Sequence, residues 1–247
     1  MTPKVLSTRK CSSTIEIRRV PEQKMIANVQ ETGRIFLLSP ANAAGVRAKM
    51  VASERATFEL AVRLRETGVP LGELFSFISG LYFRGKLAYS RAFAQASPGV
   101  GGAFVITACG GLIEPEILIT RDRLREISAE RVEANNPRYR GPLEHDAHKL
   151  AKRIGLNCSV VLLGSIATPK YAEPLLGIFG KRLLFPAEFV GRGDMSRGGL
   201  MLRCARAGEE LTYVPVGTAV RHGTRPPKLP KLLGAEFVRG ASSRDAD

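Results

Sequence analysis

Residues 34–40, RIFLLSP, form a short apolar run that ends in proline, and this pattern is typical of a buried β-strand. Two later runs have the same character, GAFVITAC at 102–109 and CSVVLLGS at 158–165. RLLFP at 182–186 predicts a fourth strand. Because helical segments separate these runs, the strands should pair in parallel. The sequence therefore predicts an α/β fold with a mainly parallel central sheet.

The segments between the predicted strands carry apolar residues at helical spacing. They lie at 51–68, at 71–95 with interruptions at Gly80 and Gly85, at 121–132 and at 142–155. One further segment, GLMLRCARAGEELTYVPV at 199–216, predicts a β-hairpin that turns at Ala207 and Gly208. Together these elements predict one α/β domain over residues 34–220.

The two ends of the chain differ from its middle. Residues 1–33 predict an arm or linker, and residues 221–247 predict a basic, proline-rich tail. No apolar run reaches the roughly 18–20 residues of a membrane span, and the charged N-terminal segment lacks the apolar core of a signal peptide. The four cysteines form no CxxC pair, which argues against a zinc ribbon or a disulfide framework. We therefore expect a cytoplasmic protein with reduced thiols and no membrane partner.

Charge is the strongest global signal in the sequence. The formal net charge is +14 and the isoelectric point is about 10.1. A basic chain of this kind favours polyanions, so we expect DNA, RNA or a nucleotide as the partner. The alternative is that the charge serves only solubility.

The segments that follow the three buried strands are rich in small and polar residues. They are SPANAAGVRA at 39–48, CGGLIEPE at 109–116 and GSIATPKY at 164–171. In open α/β sheets, ligands bind in the crevice beyond the carboxyl ends of the strands. The same residues also form ordinary strand-to-helix turns, but three such segments at one edge predict a binding site there.

The first of these segments offers an anion site. A helix that starts near Gly45 would point its N–H groups at a phosphate, and Arg47 would add charge. Asn42 is either a site residue or the N-cap of that helix. The spacing matches neither GxGxxG nor GxxxxGK[ST], so the usual dinucleotide and P-loop sites are not predicted.

Basic residues elsewhere predict further phosphate contacts. In GLYFRGKLAY at 80–89, Arg84 and Lys86 lie among aromatic residues, which suits phosphates and a stacked base. Alternatively the aromatic side chains are core, and Arg84 and Lys86 are open to solvent. In the segment after the third strand, the polar side chains can hold phosphate or can simply begin a helix; they belong to Ser165, Thr168, Lys170 and Tyr171.

The stretch FVGRGDMSRGG at 189–199 predicts a glycine-rich loop that wraps around an anion. Arg192, Ser196 and Arg197 are its candidate phosphate ligands. Asp194 could activate a water molecule, bind a metal, or only pair with an arginine.

Histidine is scarce in this chain. His222 lies among basic residues and is a candidate general acid or phosphate donor, or a tail residue without a role. His145 and His148 are one helical turn apart, but no further ligands accompany them. The sequence therefore predicts no metal site and no cofactor.

Several segments resemble a known fold. RIFLLSPAN, VITACGGLIEPE and VVLLGSIATPKY are similar to the layout of the uracil-DNA glycosylase-like superfamily. ACGGLIEPE also resembles a turn in related domains found with tRNA-modifying transglycosylases, and SGLYFRGKLAY and FVGRGDMSRGG are similar to segments of a bacterial protein family.

The resemblance implies a three-layer α/β/α domain that receives a base flipped out of nucleic acid. It also implies that Asn42 positions the attacking water and that His222 steadies the departing base.

Two main hypotheses follow. The chain is an enzyme that hydrolyses or exchanges an N-glycosidic bond, with Asn42, Asp194 and His222 as catalytic residues. Alternatively it is a non-catalytic module that binds DNA or RNA through the same loops. A third hypothesis is an enzyme of small phosphate compounds or nucleotides. An enzyme requires Asn42, Asp194 and Arg197 around one enclosed pocket, whereas a binding module can spread its lysine and arginine residues over an open face.

Overall fold

The computed structural model describes residues 33–230 of the chain. The predicted N-terminal arm, apart from Gly33, and the tail beyond residue 230 lie outside the described residues. The strands are β1 (Gly33–Leu38), β2 (Val69–Pro70), β3 (Ala103–Ile106), β4 (Leu112–Ile113), β5 (Leu118–Ile119), β6 (Cys158–Leu163), β7 (Leu183–Pro186) and β8 (Tyr213–Pro215). The helices are α1 (Val46–Ala52), α2 (Glu59–Glu66), α3 (Leu71–Ser79), α4 (Leu81–Phe93), α5 (Arg121–Ala129), α6 (Pro137–Arg153), α7 (Pro169–Phe179) and α8 (Asp194–Ala207).

A six-stranded sheet forms the centre of the molecule, in the order β4-β3-β1-β6-β7-β8. The four inner strands are parallel, and β4 and β8 pair antiparallel at the two edges. In the register of β1 and β6, Ile35 lies opposite Val160. The prediction of an α/β fold with a mainly parallel sheet is confirmed. A separate pair, β2 and β5, forms a small antiparallel ribbon.

The central strand β1 is covered on both faces. Its residues 35–38 are all fully buried, although successive side chains of a strand point to opposite faces. Crossovers between parallel strands are right-handed, so the connections β1→β3 and β3→β6, which run in opposite directions along the sheet, place their helices on opposite faces. Helix α4 contacts β1, β3 and α8, whereas α6 contacts β4 and α7. The sheet is therefore the middle of three layers.

Helices α4 and α8 approach each other closely because both carry a glycine at the contact. A Cβ atom added to Gly85 would lie 2.6 Å from the carbonyl oxygen of Gly198. A Cβ atom added to Gly198 would lie 2.7 Å from the carbonyl oxygen of Leu81. The backbones of the two helices are thus in direct contact, and neither position has room for a side chain.

Three predictions about secondary structure are wrong. Residues 199–207 belong to α8, and the predicted hairpin at 199–216 does not form. Gly208, at φ +71°, ends this helix, and only the short β8 follows. The predicted break at Gly85 is also absent, because Gly85 lies inside α4. The segment 51–68 holds the end of α1 and the whole of α2 instead of one helix.

Residues 221–230 contain no helix or strand and run beside α8. Arg203 of α8 donates a hydrogen bond to the carbonyl oxygen of Pro230, and the Leu229 side chain lies over Gly199. Within the described part of the chain, none of the helices has the length and apolar character needed to cross a membrane.

Candidate functional site

A cleft of about 250 Å³ opens at the carboxyl edge of the sheet. Its floor is the segment Pro40–Ala44, which follows β1, and Ala108, which follows β3. The end of α5 and the start of α7 form its walls. The polar residues that line the cleft are Asn42, Ser128, Glu130, Lys170 and Tyr171. Two of the three segments predicted to form a site at this edge therefore line one cleft. The third segment, 109–116, does not line it, although the preceding residue Ala108 does.

The topology explains why a cleft forms at this edge. The chain leaves β1 towards the face covered by α4, but it leaves β3 and β6 towards the face covered by α6 and α7. Connections that diverge from neighbouring parallel strands open a crevice between them. Strand β1 is thus the switch point of the sheet.

Asn42 is exposed at the cleft and its amide is held in a fixed orientation. Its Oδ1 atom accepts a hydrogen bond of 3.2 Å from the backbone N–H of Ala44. Among the described residues the amide nitrogen has no hydrogen-bond partner, so it can donate to a ligand. The alternative that Asn42 is a helix N-cap is wrong, because Gly45 occupies that position before α1. The predicted helix start near Gly45 is confirmed.

Lys170 and Glu130 give the cleft one group of each charge. The Lys170 Nζ atom lies 5.0 Å from the ring centroid of Tyr171, within reach of a cation–π contact. Glu130 pairs with Arg138 at 2.6 Å. Ser165 has a local role, since its hydroxyl accepts a hydrogen bond of 3.3 Å from the Ala167 N–H ahead of α7.

A second polar group lies at the same edge of the sheet, between β1, α4 and α8. We call it the Lys86 cluster, and it consists of Ser39, Tyr82, Lys86, Asp194 and Arg197. The prediction that Lys86 is open to solvent is wrong: the side chain is fully buried. Its Nζ atom donates hydrogen bonds to the Ser39 carbonyl oxygen at 2.6 Å and to the Ser39 Oγ at 2.9 Å. It also lies 4.1 Å from the ring centroid of Tyr82.

Burial dominates the electrostatics of the Lys86 cluster. Burial lowers the pKa of Lys86 to about 7; the charge of Asp194 opposes this shift and that of Arg197 adds to it. Burial also raises the pKa of Tyr82, which the nearby Arg197 partly offsets. The Tyr82 hydroxyl is buried close to Arg197 and Ser39, which lower its pKa, but it makes no hydrogen bond of good geometry with a described residue. The cluster therefore holds an amine that is readily deprotonated and a buried hydroxyl that can donate a hydrogen bond.

Tyr171 links the cleft to the Lys86 cluster. It lines the cleft, yet only 5% of its surface is exposed. Burial raises the pKa of the Tyr171 hydroxyl, and the charges of Tyr82 and Asp194 raise it further. Tyr171 thus lines the cleft and is near enough to Tyr82 and Asp194 for their charges to affect its pKa.

The stretch 189–199 is only in part the predicted loop. A 3₁₀ turn at Ala187–Phe189 and a short turn lead into α8, which begins at Asp194. Arg197 donates from Nε and Nη2 to the carbonyl oxygen of Phe189, at 3.2 and 3.0 Å. Arg192 donates to the Glu188 carbonyl oxygen at 3.0 Å and to the Ser196 hydroxyl at 3.2 Å. Both guanidinium groups and Ser196 therefore have local partners.

The remaining predicted residues lie away from the cleft lining. Arg47 donates to the Phe77 carbonyl oxygen at 3.3 Å, and Arg84 is exposed on α4. His222 is exposed, but the next two residues pack against Val190 and Gly191, just ahead of α8. His145 and His148 are exposed on α6, and no group of three or more metal-binding side chains occurs in residues 33–230.

Sequence reasoning missed Ser39, Tyr82 and Glu130 as site residues. The usable signal was the lysine of FRGKLAY, which lies between the apolar residues Phe83 and Leu87 of a predicted helix. Ser39, at the carboxyl end of a buried strand, was a second signal.

The chain matches no protein-family model, no curated protein and no solved structure.

Proposed function

We propose that the chain binds a nucleotide, either free or as one unit of a DNA or RNA strand, in the cleft at the carboxyl edge of the sheet. The observation that carries the proposal is the cleft itself, which lies at the switch point of a strongly basic α/β chain. Its volume of about 250 Å³ is just below the roughly 300–1,000 Å³ of sites for drug-sized ligands. That size suits one base with its sugar.

The lining of the cleft supports this ligand class. Alanine side chains at 41, 43 and 44 make part of the lining small and apolar, which suits contact with a base. The free amide nitrogen of Asn42 and the carboxylate of Glu130 supply a donor and an acceptor for the edge of the base. Lys170 supplies a positive charge for a phosphate group.

Hydrolysis of the N-glycosidic bond is the finer form of this proposal. Asn42 lies in the cleft with a fixed amide orientation, as a residue that positions water requires. Asp194 and His222 do not line the cleft. The role of His222 rests on the resemblance, and that of Asp194 rests on its sequence context and on its charge effect on Tyr171, which lines the cleft. In this reaction, water adds to the anomeric carbon of the sugar and the base leaves with a proton.

The test is binding of a fluorescent single-stranded oligonucleotide and of mononucleotides, across a range of salt concentrations. We expect Lys170→Ala to weaken binding and to reduce the slope of log K against log salt by about one. Lys152→Ala, an exposed lysine on α6, is the matched control and should leave the slope unchanged. Asn42→Ala should weaken binding without changing the slope.

The same experiment separates the alternatives. Binding of nucleic acid without release of a base from any modified oligonucleotide would favour the non-catalytic module. Binding of mononucleotides alone would favour an enzyme of small phosphate compounds. If neither binds at low salt, the proposal fails and the positive charge serves solubility.

A further inference from the structure

The contact between Ser39 and Lys86 has a geometry that nucleotide binding does not use. Lys86 is fully buried and its Nζ atom lies 2.9 Å from Ser39 Oγ. The two residues come from different elements, the end of the central strand β1 and the middle of α4. A lysine without a carboxylate partner at hydrogen-bond distance is unusual in a protein interior, and such groups concentrate at reactive sites.

We propose that Ser39 and Lys86 form a serine–lysine catalytic dyad for acyl transfer, acting on a carboxylic ester or amide. Serine–lysine pairs are one of the arrangements in which a base activates a hydroxyl nucleophile. The proposal goes beyond nucleotide binding and does not depend on it.

The reaction proceeds in two balanced halves. Ser39 Oγ bonds to the carbonyl carbon while its proton passes to the neutral Lys86 Nζ. The bond to the leaving alcohol or amine then breaks, and that group departs with the proton from Lys86. In the second half, water attacks the acyl-serine, Lys86 accepts the proton of the water, and Ser39 Oγ leaves as the hydroxyl with that proton.

The surroundings of Lys86 favour its role as a base. The 2.9 Å contact is donated by Nζ when the amine is protonated, and by the Ser39 hydroxyl when the amine is neutral. Burial lowers the pKa of Lys86 to about 7, so a large neutral fraction is present at physiological pH. The charged and titratable groups around it are Tyr82 on α4, and Asp194 and Arg197 on α8.

Tyr82 supplies the donor that an acyl-transfer site needs for its developing oxyanion. Its hydroxyl is buried close to Ser39 and Arg197, which lower its pKa, but it makes no hydrogen bond of good geometry with a described residue. Its ring lies against the Lys86 amine. A preorganised donor at such a position commonly contributes about 10²–10³ in rate.

Access to Ser39 is narrow, which sets the choice of probe. Ser39 is 5% exposed, and Pro40 and Ala41, the next residues in the chain, line the cleft. Ser39 itself is not part of the cleft lining, so the proposal requires that a small acylating or phosphorylating group reaches Ser39 Oγ past these residues. We choose diisopropyl fluorophosphate, in which the new bond is O–P, the P–F bond breaks, and fluoride leaves with the proton held by Lys86.

The experiment treats the full-length protein with this probe and locates the adduct by peptide mass spectrometry. We expect one adduct, on Ser39, with a rate that rises with pH through about 7. Ser39→Ala should remove the adduct. Lys86→Met should slow its formation roughly a hundredfold or more, because general-base assistance is lost. Circular dichroism and a thermal melt check that each variant is folded.

Two charge variants test the dyad without removing either member. Asp194→Asn should shift the midpoint of the pH–rate profile to lower pH, since Asp194 raises the pKa of Lys86. Arg197→Gln should shift it to higher pH, since Arg197 lowers that pKa. An adduct absent from Ser39, equal labelling in folded Lys86→Met, or a pH profile that neither variant moves would overturn the proposal. Nucleotide binding, measured separately, is unaffected by that result.

Discussion

Substitution of Gly85 by alanine should destabilise the protein, although alanine is the better helix former. Gly85 lies inside α4, where replacing glycine with alanine would by propensity alone stabilise a helix by about 1 kcal/mol. The added Cβ would lie 2.6 Å from the Gly198 carbonyl oxygen and 2.9 Å from the Gly198 Cα. Both atoms belong to the backbone of α8 and cannot rotate away.

The balance of the two effects can be worked out from these distances. Overpacking of a tight contact costs about 1–3 kcal/mol, and occasionally more. Here the obstacle is a helix backbone, so we expect a cost at the upper end of that range and a net loss of about 1–2 kcal/mol after the gain in helix propensity. For a domain of this size, that loss lowers the melting temperature by roughly 2–8 °C.

The assay is urea unfolding followed by circular dichroism, with Gly177→Ala as the matched control. Gly177 also lies inside a helix, α7, but an added Cβ would meet nothing within 4 Å. The control should therefore be as stable as the wild type or more stable, by up to about 1 kcal/mol. If Gly85→Ala is as stable as Gly177→Ala, α4 and α8 are not in backbone contact and the reasoning is refuted.

Three further predictions concern the polar interior. The pKa of Lys86 is about 7 in the folded state and near 10.5 in the unfolded state, so the unfolded state binds more protons between these pH values. The free energy of unfolding should therefore rise with pH across that window, by at most about 1.4 kcal/mol per pH unit. Lys86→Met should lose this rise when urea titrations at pH 7 and pH 9 are compared. Tyr82→Phe removes a buried hydroxyl that makes no hydrogen bond of good geometry, and it should be neutral or slightly stabilising. Tyr89→Phe loses hydrogen bonds with the Leu211 N–H and the Tyr213 hydroxyl, and it should lower the free energy of unfolding by about 1–3 kcal/mol. Equal effects of the two variants in thermal melts would contradict the assigned hydrogen bonding. Arg197→Ala should lower stability by about 1–3 kcal/mol because it leaves the Phe189 carbonyl oxygen without its donor; unchanged stability together with weakened nucleotide binding would instead make Arg197 a ligand contact.

The parallel core of the fold was predictable because its strands are buried on both faces. Burial on both faces produces continuous apolar runs, such as IFLL and VVLL, that few other structures produce. The edge that carries the cleft followed from the same pattern, because a parallel sheet brings its carboxyl ends together. Asn42 and Lys170, which line the cleft, were predicted as site residues because they follow buried strands at this edge.

The α4–α8 pair was not predictable from local sequence. Glycines are read as turn residues, so Gly198 and Gly199 suggested a loop and Gly85 suggested a break. Their function is steric and depends on a partner helix distant in sequence. Lys86 was misplaced for the same reason, because nothing near it in the sequence shows that α8 covers it.

The position of β1 in the sheet has a consequence for how the chain folds. Gly33 pairs with Cys158, so the two central strands belong to opposite halves of the described chain. Contacts between such distant residues form late and slowly, because the entropy cost of closing a long loop comes before the contacts stabilise the chain. During synthesis, one side of β1 remains unpaired until β6 has left the ribosome. The unpaired backbone edge of β1 and its apolar side chains are therefore exposed to aggregation throughout that interval.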